Sequence, residues 1–245
     1  VASRFDIFLA GTLDLSGTVG SGTRAGPGQG NGVGCHGNVA GTMASTGGGG
    51  NAAYGGNGSD GAGGGVAFSD TTLVPLQGGC TEYLFSMGGG GAIQLVSKTR
   101  IALASTAVVD LSGAGGVAQV LGAGGSAGGS ALLEAPTITL NSGSVIAGRG
   151  GSGAAYRYMM GATSGNEGPT TGTTGAPGVT CSGCGGTSGA GGTESSIGGG
   201  SGTATLPGGT GGRCVTRNAS GTLNPPSGTM KLRHLPHLAL QPRSP

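Results

Sequence analysis

The chain repeats its own apolar pattern at a fixed spacing, and this constrains the fold more than any other feature. The stretch Gly91-Ala-Ile-Gln-Leu-Val-Ser-Lys-Thr99 resembles Gly129-Ser-Ala-Leu-Leu-Glu-Ala-Pro-Thr137 at a spacing of 38 residues. After one residue of slippage, Ile101-Ala-Leu-Ala-Ser105 matches Ile138-Thr-Leu-Asn-Ser142 at a spacing of 37. Val108-Val109 then falls on Val145-Ile146, and Leu13-Asp-Leu-Ser-Gly17 aligns with Val109-Asp-Leu-Ser-Gly113 as a partial third copy. Self-similarity at periods of roughly 20–50 residues marks a solenoid or array, because each unit buries its apolar face only against its neighbours.

Within each copy the apolar residues alternate, as in Ile7/Leu9, Leu13/Leu15, Ile93/Leu95, Ile101/Leu103 and Ile138/Leu140. A period of two predicts strands with one buried face, and the β-branched content favours strand over helix. Each unit reads as two or three short strands joined by Ser/Gly corners, which is one coil of a β-solenoid. Pro136 stands at a strand start, where a missing N–H is tolerated. The expected fold class is all-β, a single solenoid over residues 1–228.

Two long inserts interrupt the coils, at about 18–89 and 149–212, with runs such as Gly47-Gly-Gly-Gly50 and Gly198-Gly-Gly-Ser-Gly202. Of 245 residues, 63 are Gly and 11 are Pro, near the level at which low-complexity disorder is the default. Against disorder throughout stand a net charge of +2, only 8% charged residues and 35% hydrophobic ones. The inserts are therefore either flexible linkers or bundles of extended polyglycine-II-type helices. Such helices have three residues per turn and no internal hydrogen bonds. Without side chains they can approach and bond one another. Residues 229–245 contain no Gly and read as a disordered or non-native tail.

With no Trp and only four Phe and four Tyr, large aromatic burial is missing. A stacked architecture with a narrow stripe per layer suits that supply better than one round core. Eleven basic residues spread over the whole length argue against a nucleic-acid partner. No apolar run approaches the roughly 20 residues of a transmembrane helix. The chain begins at Val1 without a Met, which reads as a processed product or a fragment.

The repeats and inserts together resemble glycine-rich cell-envelope and secreted proteins of Gram-negative bacteria. In those proteins segments of the type Gly-Gly-Ala-Ile-x-Leu-x-Ala-x-x-Ile-x-Leu-x-Gly-x-Val-x-Ala-x-Gly-Gly alternate with polyglycine inserts. Residues 129–151 and 90–116 carry that pattern, and Arg213-Cys-Val-Thr-Arg-Asn-Ala-Ser-Gly-Thr-Leu223 looks like a closing strand. The resemblance covers about half of the chain. It implies a right-handed parallel β-helix like that of pectin lyases, secretion, and a role at the outer cell surface.

A polysaccharide lyase or hydrolase is the obvious enzymatic use of such a fold, and glycoside hydrolysis needs two carboxylates facing one bond. Asp14 and Asp110 are repeat equivalents and are expected to stack on adjacent coils. The competing reading is that Asp before Leu-Ser-Gly caps a corner by accepting from nearby backbone N–H groups. No catalytic set, cofactor site or metal site assembles from the spacing of the remaining residues. Cys181-Ser-Gly-Cys184 has the spacing of half a zinc site, which Cys35-His36 could complete, although structural zinc usually takes a second Cys pair. Disulfides among Cys35, Cys80, Cys181 and Cys184 suit a secreted chain better. The odd cysteine count leaves one thiol over, and Cys214 could simply pack as a small hydrophobe. Tyr156-Arg157-Tyr158 is the one aromatic cluster of the second insert: either a contact for a glycan or protein, or an anchor of the insert to the solenoid. The expected function is a non-catalytic structural or adhesin-like protein that self-associates or contacts surface glycans and envelope proteins. The alternative is a polysaccharide-binding or polysaccharide-processing β-helix.

Overall fold

Alternating apolar residues become strands, and the strands fall into three sets of three. The computed structural model describes residues 1–18, 26, 34–37, 46–51, 54–58, 62–67, 73, 75–81, 87–118, 122–157, 161–171, 175–182 and 187–192. Among these the chain is all-β, with no helix. The first set is β1 (Ala2–Ser3), β2 (Ile7–Leu9) and β3 (Thr12–Asp14); the second is β4 (Ala92–Ser97), β5 (Arg100–Leu103) and β6 (Val108–Asp110). The third is β7 (Ser130–Glu134), β8 (Thr137–Leu140) and β9 (Val145–Ala147). Like strands of the three sets pair in parallel, giving sheets ordered β1-β4-β7, β2-β5-β8 and β3-β6-β9.

The registers of β4–β6 against β7–β9, and of β3 against β6, are those the internal repeat predicts, and the pairing of β1 with β4 and of β2 with β5 goes beyond it. Ile7 pairs with Ile101 and Ile101 with Ile138; Leu9 with Leu103 and Leu103 with Leu140. Leu13, Val109 and Ile146 make a third column. The slippage of one residue between spacings of 38 and 37 falls between β4/β7 and β5/β8. A one-residue slip in register would turn every apolar side chain outward; here the slip sits in the corner, where it costs nothing. The columns form one core of Leu95, Ile101, Leu103, Ala107, Val109, Leu111, Ala131 and Leu133, each at most 3% exposed. At the corner before the third strand, Gly11 and Gly143 adopt φ of 83° and 95°, a left-handed conformation that is strained for other residues.

All the glycine-rich connections leave after the third strand of a set: one after β3, one after β6 and one after β9. The connection 111–129, between β6 and β7, belongs with the two longer ones expected at 18–89 and 149–212, a third insert too short to stand out in the sequence. The second long insert also contains an antiparallel pair, β10 (Ala155–Arg157) and β11 (Gly161–Thr163). The expected closing strand at 213–223 and the tail at 229–245 lie outside the described residues.

Central members of the columns carry the core. Ile101→Ala should cost about 2–5 kcal/mol by denaturant unfolding, since Ile101 is fully buried. Ile7→Ala, at the half-buried end of the same column, should cost clearly less.

Candidate functional site

The described parts of the glycine-rich connections are packed, and their geometry follows from backbone chemistry alone. In segment 46–50 three successive N–H groups point at three different neighbours: Gly48 donates to Gly56 O, Gly49 to Gly125 O and Gly50 to Cys35 O. Two carbonyls of the same segment accept from two further ones, Gly48 O from Gly65 N and Gly50 O from Cys80 N. Bonds to one neighbour recur every third residue. Thr46 and Gly49 donate to Gly122 and Gly125, and Gly113 and Gly116 donate to Arg149 and Ser152. Antiparallel neighbours keep the same step, with Gly165 and Gly168 donating to Gly116 and Gly113. A chain that presents every third amide to the same side turns once per three residues, and its hydrogen bonds run between segments rather than within them.

Only glycine allows the close approach. A Cβ built on Gly47, Gly49, Gly113 or Gly128 would overlap the backbone of the adjoining segment, and nothing flexible stands there to move aside. Where the lattice does admit a Cβ, the residue is small. Ala114 and Ala123 are fully buried and pack with Met87 in a separate apolar cluster. The lattice is joined directly to the sheets. Leu15 N bonds Asp110 O and Leu111 N bonds Ala147 O, continuing the β3-β6-β9 pairing beyond the strand ends. Gly91 N and Gly129 N return onto Leu15 O and Leu111 O.

One disulfide lies inside this lattice. Cys35 and Cys80 are bonded across 45 residues of sequence and are both fully buried. Both bond through their backbone to Gly50, from opposite sides. Closing a loop of that length removes unfolded-state entropy worth about 4 kcal/mol in the chain-entropy account. A net backbone hydrogen bond contributes only about 0.5–1.5 kcal/mol, while ordering a backbone residue costs about 1–2 kcal/mol. The lattice therefore leans on its covalent tie and on its attachment to the apolar core. Cys35 is unavailable to a metal, and His36 Nδ1 lies 3.1 Å from Thr81 Oγ1. Cys181 is also disulfide-bonded; Cys184 and Cys214 lie outside the described residues.

The acidic corner is the second feature. Asp14 and Asp110 pair in register on β3 and β6. Each accepts the N–H of the residue two further on, Ser16 N to Asp14 Oδ1 and Ser112 N to Asp110 Oδ1, both at 2.9 Å, and Ser16 Oγ adds 2.7 Å to Asp14. These are the corner-capping bonds expected of Asp before Leu-Ser-Gly. Segment 164–168 brings Glu167 to the same corner, which the sequence did not reveal because the second insert carries no repeat. Burial raises the Asp110 carboxyl above its ordinary value, and the charge of Asp14 adds to this. Desolvation likewise raises Glu167, with the charges of Asp110 and Asp14 behind it. Beside them Arg149 is buried, with Nη1 donating to Pro169 O at 2.7 Å and Thr171 O at 2.8 Å.

The third expected contact is only partly placed. Tyr156 is half-buried on β10, Arg157 ends that strand, and Tyr158 lies outside the described residues. Among the described residues no group of three or more His, Cys, Asp or Glu could hold a metal ion, and no helix is long and apolar enough to cross a membrane.

Comparison with known proteins yields no match: no family model, curated protein or solved structure is similar enough to this chain to inform its role.

Two outcomes follow for the corner. Asp110 and Glu167 hold their protons more tightly folded than unfolded. Their stabilising contribution is fully present below the ordinary carboxylate range and is lost as pH rises through the raised folded-state values. Unfolding free energy measured against pH should fall across that window. Asp110→Asn keeps the acceptor for Ser112 N–H without the charge, so it should flatten the slope and not destabilise at neutral pH. Asp110→Ala removes the acceptor and should cost about 1 kcal/mol.

Proposed function

We propose that the chain is a non-catalytic structural, adhesin-like protein of the bacterial surface or extracellular matrix. In this reading the three stacked strand sets are coils of a right-handed parallel β-helix, and the connections form a bundle of polyglycine-type helices on one corner of it. The observation that carries the reading is the lattice around segment 46–50, where one short stretch bonds five others through its backbone. Such packing gives stiffness without side-chain chemistry and presents a backbone-rich surface with little charge. A body built this way has much to offer as a rigid scaffold and little with which to hold a reacting group.

Two further observations support location and role. A buried disulfide is the ordinary product of an oxidising compartment, which favours export over the cytosol. The resemblance of the repeats to glycine-rich envelope proteins points the same way. Tyr156 and Arg157, at the end of β10, are where a surface glycan or an envelope protein would make contact.

Backbone amide hydrogen exchange on the non-reduced protein tests the rigid-body part. The N–H groups of Gly48, Gly49, Gly50 and Gly113 should be protected along with those of Ile101 and Leu103. Exchange of the glycine segments at unfolded-chain rates, beside protected strands, would leave only a small coil with flexible loops and end this reading. Protease shaving of intact source cells tests the location, and release of the protein only after lysis would count against a surface role.

The polysaccharide reading rests on one observation, the meeting of Asp14, Asp110 and Glu167 at one corner. Against it, the first two carboxylates are already engaged by the N–H groups of their own corners. Arg149, the nearby cation, is turned to backbone carbonyls. The reading requires that Asp14→Ala and Asp110→Ala weaken binding or turnover of an acidic polysaccharide. Unchanged behaviour in both variants removes it.

A further inference from the structure

The segments of the glycine lattice differ in what anchors them. Segments 87–91, 111–118 and 122–129 adjoin β4, β6 and β7 and are tied to the strand exits, Gly91 N to Leu15 O and Gly129 N to Leu111 O. Segments 46–51 and 79–81 rest on these. Thr46 N and Gly49 N donate to Gly122 O and Gly125 O, Asn51 Nδ2 donates to Gly128 O, and Gly79 N donates to Gly90 O, while Cys80 O accepts from Ala127 N.

Segments 34–37, 54–58 and 62–67 form a third layer. Among the described residues its backbone bonds stay within the layer, as from Val66 N to Gly34 O and Gly55 N to Gly65 O, or reach only segment 46–50. The latter bonds are Gly48 N to Gly56 O, Gly65 N to Gly48 O and Gly50 N to Cys35 O. Side chains add little: Cys35 and Ala62 are its buried apolar residues, whereas Tyr54 and Val66 stand 66% and 38% exposed. Two links among the described residues pass beyond segment 46–50. One is His36 Nδ1, 3.1 Å from Thr81 Oγ1, and the other is the disulfide from Cys35 to Cys80.

We propose that oxidation of Cys35 and Cys80 closes this third layer, acting as a latch on a strand stack and inner lattice that stand without it. The proposal rests on the rigid-lattice reading above and names what controls it. With two thiols the layer has only lateral backbone bonds to set against the entropy of ordering glycine, and it stays open. The disulfide removes much of that entropy from the open form, because its two cysteines are 45 residues apart in sequence. The step is thiol–disulfide exchange with a disulfide oxidant. The Cys80 thiolate attacks one oxidant sulfur and displaces the other as a thiolate; the Cys35 thiolate then attacks the Cys80 sulfur and displaces the second. The protein dithiol loses two electrons, the oxidant disulfide gains them, and the two thiol protons pass to the departing thiolates. Burial gives the latch a direction. Both cysteines are fully buried once bonded, so an oxidant reaches them only while the layer is open, and a reductant is shut out afterwards. A thiol-buffered compartment keeps the layer open, and one that supplies a disulfide oxidant closes it.

Residue-resolved amide exchange on the full chain, comparing oxidised wild type with the double variant Cys35→Ala/Cys80→Ala, tests the latch. The variant keeps a small apolar side chain at both positions and leaves the disulfide of Cys181 in place. Its Gly48, Gly50, Gly55 and Gly65 amides should exchange roughly 100- to 1,000-fold faster than in wild type. Those of Gly49, Gly113, Ile101 and Leu103, which bond to the inner lattice or within the sheets, should be unchanged. Wild type refolded with its thiols reduced should match the variant, and oxidised glutathione should restore the slow rates. Full protection of Gly55 and Gly65 in the variant would overturn the latch and leave the rigid lattice intact. Lost protection at Ile101 in the variant would overturn it too, by showing that the stack does not stand without the bond. Fast exchange of Gly49 and Gly113 in oxidised wild type would instead sink the rigid-lattice reading beneath it. Rapid reduction of oxidised wild type by dithiothreitol without denaturant would overturn the direction of the latch.

Discussion

Amide groups bonded sideways, from one extended segment to the next, are what the glycine-rich half of this protein depends on. In a helix the backbone satisfies itself; in a sheet it is satisfied by two neighbours in a plane. Here successive residues of 46–50 face three directions, so the partners must surround the segment on all sides. That arrangement forbids side chains wherever two backbones meet, as at Gly113 and Gly128, and glycine is the residue that complies. At these described positions glycine is thus a packing requirement and not a sign of slackness. It also explains why the connections can be buried at all: loops normally stay at the surface because their polar groups find no partner inside.

The lattice and the sheets need each other. Lateral bonds alone barely offset the entropy of ordering glycine, which loses more freedom on folding than any other residue. The apolar columns hold the exits Leu15, Leu111 and Ala147 in register, so three segments enter the lattice already aligned. The disulfide between Cys35 and Cys80 holds two more on either side of Gly50. In return the lattice covers one corner of a stack that has few large side chains with which to cover itself. Leu73 and Leu76, also supplied by the first insert, pack on Leu132 from the outer face of β7.

Much of the strand architecture was legible in the sequence, and the reason is physical. Burial of one face imposes a period of two, and stacking imposes a repeat, so the sequence pairs Ile101 with Ile138 and Leu13 with Val109. The role of Asp14 and Asp110 as caps was legible for a similar reason, since a carboxylate two residues before an N–H has a short list of local uses. The glycine-rich connections were different. A lattice amide is chosen by its neighbours in space, and glycine leaves no side-chain pattern to say which neighbours those are. Nothing around Gly49 announces Gly125, and nothing around Glu167 announces Asp110. Segment 111–129 gives no sign in the sequence of its place in the lattice, because it is short and interrupted by Val117 and Leu121.

The step of three between bonds to the same neighbour has a consequence for how such a chain can change over generations. Deleting or inserting three residues in a connection shifts a segment along its own axis, and every amide downstream still faces the neighbour it faced before. Deleting one rotates all of them by a third of a turn, so that each N–H is presented to the wrong partner until the next corner resets the phase. Length variation in these connections should therefore be tolerated in triplets, a reading frame written in the geometry of the protein rather than in its gene.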